Sequence, residues 1–123
     1  MLIDSNLVIY ATQPRQPRLR AWLVEQATHY SVISRLETLG YQQLSDAEAR
    51  SINAILDQLE RVDIDDIIVE QAIGLRRLRK MSLGDALVAA SCLVHQLPLA
   101  TANEKDFAWI DELAVNNPLK DEL

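Results

Sequence analysis

Lys80-Met81-Ser82-Leu83-Gly84-Asp85-Ala86-Leu87-Val88-Ala89-Ala90-Ser91-Cys92-Leu93-Val94-His95 has almost no polar surface to give to water. Leu83, Leu87, Ala90 and Val94 recur at helical spacing, and Ala86, Ala89 and Leu93 widen that stripe until the predicted helix is apolar on most sides. Such a helix belongs in an interior. Asp85 is its one acidic residue, and Ser82 three positions earlier reads as a capping box that sets the carboxylate in the first turn, where the helix dipole favours negative charge. A carboxylate on so apolar a helix needs a hydrogen-bond donor, a cation or a metal ion. Capping alone satisfies that need, so Asp85 by itself establishes no site.

Outward from that helix, strand-like and helix-like segments alternate. Leu2-Ile3 reads as a short buried strand that ends in the polar turn Asp4-Ser5-Asn6 and runs at once into a helix through Leu7 to Tyr10. Pro17 suits the first turn of a helix through Leu19, Trp22, Leu23 and Ala27. His29 to Ile33 is rich in β-formers, and Ser34-Arg35-Leu36-Glu37 after it reads as a second capping box, opening a helix that contains Gly40. Ser45-Asp46-Ala47-Glu48 is a third box, before a helix with Ile52, Ile55, Leu56 and Leu59 on one face. Nothing beyond capping is expected there, so the spacing alone does not mean catalysis. Arg61 to Ile64 reads as an edge strand, and Asp65-Asp66 opens a helix through Ile68, Ala72, Leu75 and Leu78. Leu97 to Thr101 reads as a late strand, followed by the turn Ala102 to Asp106, then Phe107 to Ile110, the apolar pair Ala114-Val115 and an acidic tail. Strands alternating with helices predict an α/β fold, a small parallel sheet covered on both faces.

The 123 residues suit one domain over 1–123, with 49% hydrophobic and 24% charged side chains. No stretch approaches the roughly 20 apolar residues of a membrane helix. No basic region precedes the apolar residues at the start, and Cys92 is the one cysteine, so no secretory signal and a reducing, cytoplasmic setting are expected. Lys120-Asp121-Glu122-Leu123 matches a lumenal retention signal, which without a route into that lumen is coincidence. A net charge of −6 opposes nonspecific binding to a polyanion, although Arg15, Arg18 and Arg20 cluster early and Arg76, Arg77, Arg79 and Lys80 run straight into the Asp85 helix. His29 and His95 lack partners at metal-ligand spacing and are expected at element ends. Three glycines, scattered at 40, 74 and 84, make no phosphate-binding loop.

Acidic or amide residues recur just after the apolar segments: Asp4, Glu37, and Asn103 with Asp106. If those strands are parallel neighbours, their carboxyl ends share one edge, and Asp85 points into the same space. Three or four converging carboxylates repel one another, and a hard cation such as Mg²⁺ or Mn²⁺ stabilises such a cluster. An ion held there activates water and neutralises a phosphodiester, the chemistry of a nuclease.

In order, Met1-Leu2-Ile3-Asp4-Ser5-Asn6-Leu7-Val8-Ile9-Tyr10, Ser34-Arg35-Leu36-Glu37, Ser82-Leu83-Gly84-Asp85-Ala86 and Thr101-Ala102-Asn103-Glu104-Lys105-Asp106-Phe107 resemble the PIN-domain ribonucleases, in particular the VapC-type toxins of bacterial toxin-antitoxin pairs. The resemblance spans nearly the whole chain. It implies a PIN-like fold, Mg²⁺- or Mn²⁺-dependent endoribonuclease activity on RNA, a homodimer, and neutralisation by a cognate VapB-like antitoxin. Asp4, Glu37 and Asp85 match the family's metal-holding acids. Asn103 stands where many relatives have an aspartate, while Asp106 precedes the phenylalanine as in many VapC-like chains. Both are therefore catalytic candidates, with Asp106 joining Asp4, Glu37 and Asp85 as an expected metal ligand. Thr101 and Ser5 or Asn6 are expected to orient carboxylates, and Arg76, Arg77, Arg79 and Lys80 to meet substrate phosphates. The alternative is a non-catalytic PIN-fold binding module acting through a protein partner. A DNA nuclease is a third reading, for which a chain of net charge −6 offers little duplex-binding surface.

Overall fold

Two-residue strands form the centre of the molecule. In the computed structural model, which describes residues 1–120, β1 (Leu2–Ile3) pairs in parallel with β2 (His29–Ser31) on one side and β4 (Leu99–Ala100) on the other. Beyond them β3 (Glu60–Val62) pairs with β2 and β5 (Val115–Asn116) with β4, giving the parallel order β3-β2-β1-β4-β5. Among the described residues six α-helices connect or flank these strands: α1 (Ser5–Ala11), α2 (Pro17–Gln26), α3 (Val32–Leu39), α4 (Asp46–Leu56), α5 (Asp66–Leu78) and α6 (Leu83–His95). The expected α/β architecture, a small parallel sheet between helices, is what the chain adopts. The acidic tail, Asp121 to Leu123, lies outside the described residues.

Alternation along each short strand builds two cores. Leu2 and Leu99 face a cluster with Ile68, Leu75, Val88 and Phe107, so α5 and α6 cover that face of the sheet. Ile3 and Ala100, one residue on, face Leu7, Leu19, Leu23, Ile52 and Leu56, so α1, α2 and α4 cover the other. Full burial of each such Leu, Ile or Phe contributes about 1.5–3 kcal/mol. That burial compensates for strands too short to be stable alone.

Local chemistry starts the helices. Pro17 occupies the first turn of α2, Asp65 accepts from the Ile68 N–H at 2.9 Å to cap α5, and Ser45 with Glu48 forms a reciprocal capping box at α4. Ser82 caps α6 by accepting from the Asp85 N–H at 3.1 Å. Three expectations change. α3 begins three residues earlier than the Ser34 box implies, with Ser31 as its cap, because Ile33 packs on the core from a helical position and overrides the β-preference of Val32-Ile33. Ser34 is therefore inside the helix, Glu37 lies in its second turn rather than its first, and Gly40 ends the helix, its N–H bonded to the Leu36 carbonyl at 2.8 Å. On α6 the buried residues are Ala86, Val88 to Cys92, whereas Leu83 is exposed at the rim, and Leu78 at the end of α5 is exposed too. Val115–Asn116, read from sequence as part of an apolar pair, is a fifth strand, with the Leu99 N–H bonded to the Ala114 carbonyl at 2.8 Å and the Thr101 N–H to that of Asn116 at 2.9 Å.

The chain winds outward from β1 through β2 to β3, then crosses to β4 and β5. The reversal lies between β1 and β4, whose carboxyl ends open the crevice where sites form in sheets of this kind. Asp4 leaves β1 there, its N–H bonded to the Ala100 carbonyl at 2.9 Å.

Candidate metal centre

Asp4 is 5% exposed, and each of its carboxylate oxygens has a donor. Oδ1 accepts from the Ser5 N–H at 2.8 Å, which caps α1, and Oδ2 accepts from the buried Thr101 hydroxyl at 2.7 Å. That hydroxyl in turn accepts from the Asn103 N–H at 3.0 Å. The turn after β4 is thus tied to the carboxylate after β1. The Ser5 hydroxyl donates to Glu37 Oε1 at 2.7 Å and also bonds the Ser34 hydroxyl at 2.9 Å. Ser5 therefore links the Asp4 turn to α3. Ser34, which the sequence presents only as a cap, belongs to this buried hydroxyl pair; its one sequence signal is its place a helical turn before Glu37.

Asp85 enters from the start of α6. Its carboxyl is pushed up to about 6, first by burial, then by repulsion from Asp4, Asp106 and Glu37, against a smaller opposing bond to Ser82. Asp4 is likewise raised above the ordinary carboxylate value, first by burial and then, after the opposing bonds from Thr101 and Ser5, by Glu37 and Asp106. Glu37 and Asp106 thus act on both Asp4 and Asp85 across the crevice. The ion pairs among the described residues, His29–Glu60, Arg61–Asp63 and Lys120–Glu104, involve none of them. Asp106 ends a 3₁₀ turn (Glu104–Asp106), and its carbonyl accepts from the Trp109 indole at 3.1 Å. Asn103 is exposed and lines a cavity with Tyr10, Gln13, Glu104 and Asn117.

The donor set suits a hard cation. It consists of carboxylate oxygens alone, and their mutual repulsion is what a divalent ion relieves. As the side chains stand, no three Asp, Glu, His or Cys groups among the described residues are disposed to hold one ion together. Mg²⁺ does not require three, since it keeps several waters and takes one or two carboxylates. His29 pairs with Glu60 at 3.1 Å at the start of β2, and His95 lies in the last turn of α6, so both sit at element ends as expected. An apolar cavity of about 360 Å³ lies between α2 and α4, lined by Leu23, Val24, Ile55 and Leu59, and touches none of the acids. The crevice chemistry is at the sheet edge, not in that cavity.

The family profile described as PIN domain matches residues 1–113. The chain belongs to the PIN-domain family. Solved structures similar to this PIN domain include a toxin-antitoxin complex from Klebsiella pneumoniae, 27% identical over 95% of this chain and 96% of that one, with a TM-score of 0.76. VapBC2 from Rickettsia felis, bound to a DNA fragment from its promoter, has a TM-score of 0.80 at 20% identity over 94% and 96% of the two chains. FitAcB from Neisseria gonorrhoeae has a TM-score of 0.73 at 24% identity over 96% and 97%. These last two show the shared fold. No curated protein matches the sequence.

Basic side chains gather at the end of α5. Arg79 lies over the Trp109 ring, 5.6 Å from its centroid, and Arg76 Nε donates to the Met81 carbonyl at 3.1 Å, fastening the end of α5 to the approach of α6. Among the described residues no helix is long and apolar enough to cross a membrane.

Proposed function

We propose that this PIN domain, extending over residues 1–123, is a metal-dependent endoribonuclease, the VapC-type toxin of a toxin-antitoxin pair acting in the cytoplasm. The observation that carries the reading is the convergence of Asp4, Glu37, Asp85 and Asp106 at the switch point of a parallel sheet, with Asp4 buried and tied through Ser5 to Glu37. Asp4, Glu37, Asp85 and Asp106 would hold Mg²⁺ or Mn²⁺, and Asp106 is close enough for its charge to act on both Asp4 and Asp85. A bound ion of this class supplies an activated water and neutralises charge on a phosphodiester. Thr101 and Ser5 fix the Asp4 carboxylate, so the buried ligand is oriented before any ion arrives. Asn103 flanks the site from the exposed side, where an amide can donate to substrate without adding negative charge. Arg76 and Arg77 in the last turn of α5 and Arg79 and Lys80 just after it stand exposed, and we assign them to RNA phosphates.

Similarity to the toxin-antitoxin complex of Klebsiella pneumoniae supports a protein antitoxin as partner, and a homodimer is the assembly we propose for the free toxin. A cationic antitoxin segment would find the acidic crevice favourable. The test is cleavage of a total small-RNA pool by purified protein with Mg²⁺ or Mn²⁺, beside chelator and Asp4→Asn controls. Discrete fragments that require both the ion and Asp4 are expected. Cleavage that persists in Asp4→Asn overturns the assignment, and folded, metal-binding protein without cleavage on that pool moves it to a PIN-fold binding module.

A further inference from the structure

Glu37 sits on an exposed turn of α3, and a glutamate so placed ordinarily samples many rotamers. Two contacts restrain this one. The Ser5 hydroxyl donates to Oε1 at 2.7 Å, and the carboxylate lies against the bare Cα of Gly84. A Cβ at residue 84 would stand 2.5 Å from Oε2, 3.1 Å from Cδ and 3.3 Å from Oε1 of Glu37. The first is closer than real Cβ atoms come to any neighbour, the other two are tighter than most, and all three belong to this one carboxylate.

Backbone geometry does not account for the glycine. No glycine among the described residues has positive φ, and residue 84 is the second residue of α6, where alanine is favoured by about 0.5–1 kcal/mol. Glycine therefore lowers helix stability at this position while clearing the space that the Glu37 carboxylate fills. We propose that Gly84 is a positioning residue: its missing side chain is the seat that brings the Glu37 carboxylate to the start of α6, next to Asp85, with Ser5 setting its rotation. The inference deepens the metal-centre reading and rests on it for the role of Glu37 as a ligand. Because the obstructed group is the free end of a flexible side chain, any larger residue at 84 displaces the carboxylate and leaves the helix in place.

Gly84→Ala separates seat from scaffold. Three measurements on the whole chain are compared with the parent: the melting temperature, the carboxyl-carbon NMR shift of Glu37, and Mn²⁺ affinity by calorimetry. The melting temperature is expected to hold or rise, the Glu37 resonance to move, and Mn²⁺ to bind roughly 10-fold or more weakly, as when a group that orients a ligand is lost. On a Glu37→Ala background the same substitution is expected to cost no further affinity. A Glu37 resonance that stays in place, a substantial fall in melting temperature, or losses that add independently of Glu37 overturns the seat. If the parent itself binds no Mn²⁺ through Asp4, the metal reading falls, while the Glu37 resonance still decides whether Gly84 positions that carboxylate.

Discussion

The starts of α4 and α6 share one pattern, Ser45-Asp46-Ala47-Glu48 and Ser82-Leu83-Gly84-Asp85, and reach opposite electrostatics. Glu48 is exposed, bonds back to the Ser45 N–H at 3.1 Å, and is held below the ordinary glutamate value by its backbone and side-chain bonds to Ser45. Asp85 begins from the same spacing and is pushed up to about 6, because burial and Asp4, Asp106 and Glu37 outweigh the Ser82 bond. Local chemistry is the same in kind. What differs is what each helix start faces: solvent at α4, and at α6 the carboxyl ends of β1 and β4. Ser34-Arg35-Leu36-Glu37 completes the contrast, since there the serine caps nothing and instead joins Ser5 beneath the Glu37 carboxylate.

The largest expected effect breaks the symmetry of the two boxes. Asp85→Asn is expected to reduce metal-dependent RNA cleavage by more than the roughly 10- to 100-fold that loss of an orienting partner costs, whereas Glu48→Gln leaves cleavage unchanged. Rates on the same RNA substrate check the pair, and equal losses would mean that the α6 start is only a cap.

Thr101→Val is next in size. It removes the hydroxyl that bonds Asp4 Oδ2 inside the crevice, so a buried acceptor is left without that donor at a cost of about 1–3 kcal/mol. Denaturant unfolding is expected to register that loss and calorimetry a roughly 10-fold weaker Mn²⁺ affinity. Ser45→Ala, at the other box, is expected to lower stability by about 1 kcal/mol with no change in Mn²⁺ binding.

The smallest effect is a slope with pH. In chelator, the folded chain keeps the Asp85 proton up to about 6, while the unfolded chain releases it near 3.8. Between those values the native state binds more protons, so the contribution of Asp85 to stability falls as pH rises. Glu48 acts with the opposite sign: its contribution is present above its ordinary value of 4.5 and is lost as pH falls through the lowered one. Melting temperatures taken from pH 4 to 7 are expected to show a flatter profile in Asp85→Asn and a steeper fall with rising pH in Glu48→Gln. Adding Mn²⁺ is expected to offset the fall in the parent chain.

Much of the fold was legible because it rests on local rules. Asp4-Ser5 after Leu2-Ile3, Pro17 at α2 and Ser45-Glu48 at α4 announce their elements through capping and strand chemistry that neighbours in sequence supply. β5 was not legible as a strand: Val115–Asn116 pairs through backbone groups with β4, and two residues carry no periodicity. The start of α3 is not legible either, because Ile33 answers to the core and not to its own β-preference.

The sequence by itself determined the alternation of strand and helix, the oxygen-only character of Asp4, Glu37, Asp85 and Asp106, the places of Asp4, Glu37 and Asp106 after apolar segments and that of Asp85 in a first helical turn, since these follow from residue type and order. Only the tertiary structure decided that Asp4 is buried between Ser5 and Thr101, that Asp85 and not Glu48 has its proton affinity raised, and that the carboxylate of Glu37 rests on Gly84. The physical reason is range. Caps and periodicity act over three or four residues, whereas desolvation and carboxylate repulsion depend on which chain ends the sheet order brings to one edge.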